Sequence, residues 1–225
     1  MTKKSTTYNK YNVILLAYEI TKGMKSVGSK SLMTIKIDNH QDSILRHQIT
    51  SIKKHIPNLA SINIVLGFDK EKIKKKISFG HGVTLVDNDE YDKYGQAHAI
   101  KLALTKIHNN HPTIIIGNHI VLRKNIFDSC DIKQNNIFSI KNCTNQFFKI
   151  GCTHHGGSVE YLCYDLSPKW TEIFVLRENG IKDFLSILEQ NKHMMLFEAI
   201  NNSIDNTSTI NHYIYNNSLL TINHK

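Results

Sequence analysis

The chain contains no uninterrupted apolar run approaching the roughly 20 residues that a membrane-crossing helix needs. Its opening stretch, Met1 to Lys10, is polar and lysine-bearing with no apolar segment behind it, so no secretory leader and a cytoplasmic setting are expected. Arginine is scarce. Arg46, Arg123 and Arg177 are the whole complement in a 225-residue chain with 28 Lys+Arg and a formal charge of +9. Sequence-specific nucleic-acid readers rely on arginine forks, so a specific nucleic acid is not expected as a partner. A lysine surplus suits smaller anions such as nucleotides and sugar phosphates, and serves equally to solvate the surface of an isoleucine-, lysine- and asparagine-rich chain. No C-x-x-C pair occurs among Cys130, Cys143, Cys152 and Cys163, which points to reduced thiols rather than a disulfide framework. The cluster Cys152, His154, His155 and Cys163 matches no closed structural-zinc spacing. Linkers, internal repeats and low-complexity breaks are all missing, so residues 1–225 read as one domain.

Against these absences stands a regular alternation. Asn12 to Ala17 is a short apolar run of the kind buried in a parallel sheet, and Asp42 to Ile56 carries Leu45, Ile49, Ile52 and Ile56 at helical spacing. Strands at Ser61–Gly67, Val83–Val86 and Thr113–Ile116 follow, separated by helices at Asp69–Ile77 and Ala97–His108. Strand and helix in strict turn predict an α/β fold, three layers αβα, around a mostly parallel, Rossmann-like central sheet. In such a sheet the loops after Ala17, Val86 and Ile116 line one crevice beyond the carboxyl ends of the strands. The second half reads as strands at Ile137–Ile140, Phe147–Cys152 and Val159–Tyr164. Helices are expected at Pro168–Glu178, Ile181–Gln190 and Met194–Ile204, and closing strands at Ile210–Tyr215 and Leu219–Ile222.

The loop after the first strand, Leu15 to Leu32, holds neither a Walker G-x-x-x-x-G-K-[ST] nor a G-x-G-x-x-G fingerprint. Its order of Leu15-Leu16-Ala17, Thr21-Lys22 and Lys30 resembles the L-A-A-G-x-G-T-R-M…P-K opening of the sugar-phosphate nucleotidyltransferases. Gly95-Gln96-Ala97-His98-Ala99 is similar to the G-T-A-H-A stretch of the family's N-acetylglucosamine 1-phosphate uridylyltransferases. Phe197 to Asn201 and Thr221 to Asn223 look like its closing helix and E-I-D strand, so the resemblance spans nearly the whole chain.

The resemblance implies a GT-A-like, nucleotide-diphospho-sugar transferase type of fold. It also implies the reaction of a nucleoside triphosphate with a sugar 1-phosphate, or a similar phosphate monoester, to give a nucleotide sugar and pyrophosphate. On that reading Lys30 and Lys22 are the catalytic lysines. Lys30 faces the α-phosphate or the incoming phosphate, and Lys22 the departing pyrophosphate. Leu16, Ala17, Gly95, Gln96 and Ala97 bind the nucleotide, glycine admitting a planar base and the helix start offering free N–H donors. Mg²⁺ is the implied cofactor.

The departures bear on chemistry. Tyr18 and Ile20 replace the loop glycines, Lys22 the arginine, and Ser29 the proline. The family's two metal-holding aspartates fall at Asn118 and Asn223, whose neutral amides are weaker partners for Mg²⁺ than carboxylates. Two function classes therefore stand open: a divergent transferase, and a catalytically silent relative that binds a protein partner or itself. A third, a glycosyltransferase of related fold, has only Asp87-Asn88-Asp89 as its D-x-D. That triplet is as readily a turn.

Overall fold

The structure is a computed structural model, and the description covers residues 10–18, 43–56, 58–76, 80–118, 120–127, 131, 133–141, 143, 148–206, 208–215 and 219–221. Strand β1 (Tyr11–Ala17) is buried along its whole length, as its unbroken apolar run requires. Its side chains alternate between two cores. Val13, Leu15 and Ala17 enter one, and Ile14 and Leu16, with Tyr18 just beyond the strand, enter the other. Helix α1 (Ile44–His55) starts at Ser43, whose hydroxyl accepts from the Arg46 N–H, and buries Leu45, Ile49 and Ile52 against the first core. Strands β2 (Leu59–Leu66), β3 (Val83–Asp87) and β4 (Thr113–Ile116) run parallel to β1, giving the order β3-β2-β1-β4. Helix α2 (Lys70–Lys76) lies on the α1 side through Ile73, and α3 (Gln96–Leu104) packs Ala97, Ala99, Ile100 and Ala103 into the second core. This half is the parallel α/β arrangement the alternation predicts.

Beyond β4 the sheet turns antiparallel, and the expectation of a mostly parallel sheet is corrected to a mixed one. Strand β9 (Lys169–Leu176) pairs antiparallel with β4 and with β6 (Asn135–Ile140). Strand β10 (Ile210–Tyr215) lies parallel to β6 and antiparallel to β8 (Ser158–Tyr164), which forms a hairpin with β7 (Ile150–His155). Strand β7 then returns to β9 through Gly151 and Lys169, so β9, β6, β10, β8 and β7 close a ring of strands. Helices α4 (Ile181–Gln190) and α5 (Leu196–Asp205) cover the α3 side, where Phe184, Leu188, Ala199 and Ile200 are buried. A separate short ribbon joins β5 (Ile120–Leu122) to β11 (Leu219–Thr221).

A second correction concerns Pro168–Glu178, expected as a helix, most of which is strand β9, Lys169–Leu176. The strand carries a bulge. Between the pairs Ile137–Phe174 and Ser139–Trp170 one residue of β6 faces Thr171, Glu172 and Ile173 of β9. The Thr171 hydroxyl donates to the Phe138 carbonyl at 2.7 Å, and the Trp170 indole N–H donates to the Ile173 carbonyl at 3.0 Å, pinning the bulge. Glu172 at its apex has φ +57°, a conformation glycine usually supplies.

Candidate functional site

The carboxyl ends of β1, β2, β3 and β4 open on one side, and the described candidate residues gather there. Leu16 and Ala17 are buried in the two cores at the end of β1, so any ligand meets them through backbone. Tyr18, standing where the resemblance has glycine, is only 3 % exposed and belongs to the α3-side core. It packs over the end of β2. A Cβ on Gly67 would lie 2.8 Å from the Tyr18 Cβ and 2.6 Å from the Tyr91 Cβ, and the Phe68 N–H donates to the Tyr18 carbonyl. Lys22, Lys30 and Asn223 lie outside the described residues.

Gly95, Gln96 and Ala97 do form a loop-to-helix turn at the start of α3, on the same face as Tyr18. Their hydrogen bonds run to the segment ahead of α5. The Gly95 N–H donates to the Lys192 carbonyl at 2.9 Å, the Ala97 N–H to the Met194 carbonyl at 3.0 Å, and the Gln96 Oε1 accepts from the Leu196 N–H at 2.9 Å. A Cβ on Gly95 would come within 2.3 Å of the His193 carbonyl oxygen, so glycine here is set by that close approach. The expectation of free donors at this helix start is thus corrected for Gly95 and Ala97, whose amides are already paired.

At the exit of β3, Asp87 accepts from Lys74 Nζ at 2.9 Å and from Lys70 Nζ at 3.4 Å, and Asp89 also binds Lys70. The Lys74 hydrogen bond is the chief cause holding the Asp87 carboxyl below its ordinary pKa, against a smaller opposing effect of burial. Asn88 between them is fully buried. Its Oδ1 accepts from the Glu90 N–H, and its Nδ2 has no partner. Asp87-Asn88-Asp89 is a turn tied down by lysines, and its two carboxylates are engaged with ammonium groups. Nearby, His98 is buried with Nε2 3.6 Å from a Glu90 carboxylate oxygen. Burial holds its pKa below the usual imidazole value despite Glu90.

The exit of β4 is held most firmly. Gln48, buried on α1, donates from one Nε2 to the carbonyls of Ile120 (2.8 Å), Asn118 (2.9 Å) and Gly117 (3.3 Å), fixing the Gly117-Asn118 turn from below. On the opposite face Glu172 leans in from the β9 bulge. The Gly117 N–H donates to the Glu172 carbonyl at 3.1 Å, and a Cβ on Gly117 would lie 2.7 Å from Glu172 Oε2. Alternation along β4 puts that carboxylate on the α3-side face, with Ile115, Tyr18 and the start of α3. Sequence reasoning missed Glu172 because a helical reading of Pro168–Glu178 gave it no reason to face Gly117. The signal was present in the β-branched and aromatic run Ile173-Phe174-Val175, which favours a strand.

Mg²⁺ is held by anionic oxygens, typically one or two carboxylates together with substrate phosphates. At the β4 exit Glu172 is the one carboxylate that the described contacts bring against Gly117, and Asn118 beside it is neutral, so the described residues there do not make up such a set. Among the described residues no three His, Cys, Asp or Glu side chains come together as a metal site. The Cys152, His154, His155, Cys163 set does not converge. Cys152 faces inward with its Sγ 3.3 Å from His212 Nε2, while His154 and His155 are exposed.

No protein-family model and no curated protein sequence matches the chain. Solved structures match its fold closely. The inositol-1-phosphate CTP transferase from T. maritima superposes with a TM-score of 0.77 at 14 % identity, covering 93 % of this chain and 86 % of that one. The CTP:phosphocholine cytidylyltransferase from Streptococcus pneumoniae gives 0.70 at 19 %, covering 94 % and 93 %. A UDP-glucose pyrophosphorylase complexed with UDP-glucose gives 0.70 at 11 %, covering 93 % and 92 %. The chain therefore has the nucleotidyltransferase-like fold that its motif order implies. No described helix is long and apolar enough to cross a membrane.

Proposed function

We propose that this chain is a divergent nucleotidyltransferase that joins a nucleoside triphosphate to a phosphorylated small acceptor. The observation that carries the reading is two-way coverage: its match to cytidylyl- and uridylyl-transferring enzymes leaves little of either chain unpaired. Insertions that would recast the crevice for another ligand class are correspondingly few. In this reading a phosphate oxygen of the acceptor attacks the α-phosphorus in line as the bond to pyrophosphate breaks. Lys30 neutralises charge on the α-phosphate or the incoming phosphate, and Lys22 receives the departing pyrophosphate. The α3 turn of Gly95, Gln96 and Ala97 borders the base, with Gln96 and the residues ahead of α5 fixing its position. Mg²⁺, when bound, neutralises charge that builds on the phosphates. Asn118 and Asn223 are the positions that would face it, and both are neutral.

A second reading, a silent relative that binds nucleotide or a partner chain without turnover, is favoured by two specific observations. The β4 exit carries Asn118, and the Gly95 and Ala97 amides are paired within the protein. Isothermal titration of the full chain with CTP, UTP and dTTP, alongside a pyrophosphate-release assay with choline phosphate and sugar 1-phosphates, separates the two. Binding with release supports the transferase. Binding without release supports the silent relative, and no binding at millimolar nucleotide dismisses both as nucleotide readers. Asn118→Asp with Asn223→Asp should strengthen the Mg²⁺ dependence of binding, and an unchanged response would show that these positions do not face the metal.

A further inference from the structure

Independently of the nucleotide reading above, we propose that the face formed by the amino ends of β1, β2, β3 and β4, at the opposite end of the strands from the crevice, docks the protein electrostatically on an anionic lipid surface. Three observations carry it. First, acidic residues are segregated. The chain has 19 Asp+Glu, yet residues 43–66 and 95–117, which hold α1, β2, α3 and β4, contain none, and neither does 10–18 around β1. Asp69, Asp87, Asp89 and Glu90 lie instead beyond the carboxyl ends of β2 and β3. Past the end of β9 charges of the two signs are equal in number, Glu178 and Asp183 against Arg177 and Lys182. Second, the parallel order brings the segments ahead of β1 to β4 to one end, and they carry cations. Lys10, Lys53, Lys54 and Lys106 are all exposed there. These segments touch. The Tyr11 N–H donates to the Asn58 carbonyl, the Asn12 Nδ2 to Asn109 Oδ1 at 2.6 Å, and Lys53 Nζ to the His81 carbonyl at 3.5 Å. The C-termini of α1 and α3 account for only part of this charge, since a helix end carries about half a negative charge and four ammonium groups stand against the two. Third, what the face lacks selects its partner. Among its exposed described residues none is arginine, Phe, Tyr or Trp, the side chains that clamp phosphates bidentately or stack on bases. A dense layer of anionic headgroups needs only an array of lysines, and docking through this end leaves the crevice open to solvent.

The test is co-sedimentation of the full chain with vesicles of phosphatidylcholine alone or mixed with phosphatidylserine, at low and at high salt. The wild type should bind the mixed vesicles at low salt, ignore the neutral ones, and come off at high salt. The variant Lys10→Gln, Lys54→Gln, Lys106→Gln should bind the mixed vesicles at least about tenfold more weakly. A control of equal charge change at the other end of the strands, Lys72→Gln, Lys93→Gln, Lys141→Gln, should bind within about twofold of the wild type. Thermal melts confirm that each variant is folded; should the first melt early, Lys54→Gln with Lys106→Gln carries the test. Failure of the wild type to bind the mixed vesicles overturns the inference, and so does an equal loss in the control, which would reduce it to net charge. Tighter binding to duplex DNA than to the mixed vesicles at the same salt, lost in the first variant, overturns the lipid surface in favour of a nucleic acid. Titration with CTP keeps the two readings apart. The first variant should bind CTP as the wild type does, and a loss there would move these lysines into the nucleotide site and overturn the docking face. Vesicle binding by a wild type that binds no nucleotide would overturn the nucleotide reading alone.

Discussion

Acid should loosen this protein through His212. The imidazole sits on β10 with Nε2 3.3 Å from the Cys152 sulfur, which in turn lies 3.5 Å from the Ser139 hydroxyl, and its ring centre is 4.5 Å from that of His154. Burial first, and the neighbouring His154 second, lower its pKa from 6.5 to about 4. In the unfolded chain the same group takes a proton near 6.5. Between those values the unfolded state binds more protons than the native state, so stability is full above pH 6.5 and falls as the pH drops toward 4. The whole interval corresponds to about 3 kcal/mol, and the partial exposure of the ring brings the realistic loss to about 1–2 kcal/mol. That is a sizeable share of the roughly 5–15 kcal/mol that holds a domain folded. Urea unfolding at a series of pH values from 7.5 to about 4.5 on wild type and His212→Asn isolates this contribution. Buried His98 titrates in the same direction, but it is common to both chains and cancels in the difference. The variant should lose less stability on acidification, by about 1 kcal/mol or more. Parallel curves for the two proteins would refute the assignment of the loss to His212.

Gly95→Ala places a methyl 2.3 Å from the His193 carbonyl, which is backbone and cannot swing aside; chemical denaturation should show a loss of about 2 kcal/mol. Gln48→Leu removes the donor shared by Gly117, Asn118 and Ile120. It should cost about 2–3 kcal/mol and accelerate amide exchange at Asn118 to Leu122, measured by hydrogen–deuterium exchange. Glu172→Gly removes a left-handed side chain and should leave stability unchanged or raise it by up to about 1 kcal/mol in the same denaturation assay.

The parallel half of the fold is legible residue by residue because its signals are local. Val13 to Ala17 and Ile114 to Ile116 are apolar on both faces, as strands with a core on each side must be, and Leu45, Ile49 and Ile52 mark one face of α1. The second half depends on pairings between distant segments. The return of β7 to β9 and the insertion of β10 between β6 and β8 leave no trace in any short window. The β9 bulge breaks the strict alternation of a strand between Trp170 and Phe174, so this segment too is defined by its pairing with β6 rather than by its own pattern. Three-residue β5, Ile120–Leu122, is too short to show a period and is defined by its partner β11. At the site, the glycine at 95 is readable as a demand for space, but the demand comes from the His193 carbonyl, a contact only the folded chain reveals.

Closure of the strand ring also governs how copies of this protein can meet. One border of the sheet is β3, Val83–Asp87, while at the other β7 meets β9 at the pair Gly151 and Lys169. That border is five residues long and lies beneath the ammonium groups of Lys70 and Lys74. A short border under two ammonium groups is a poor template for strand addition, so it discourages edge-to-edge pairing of one copy with another.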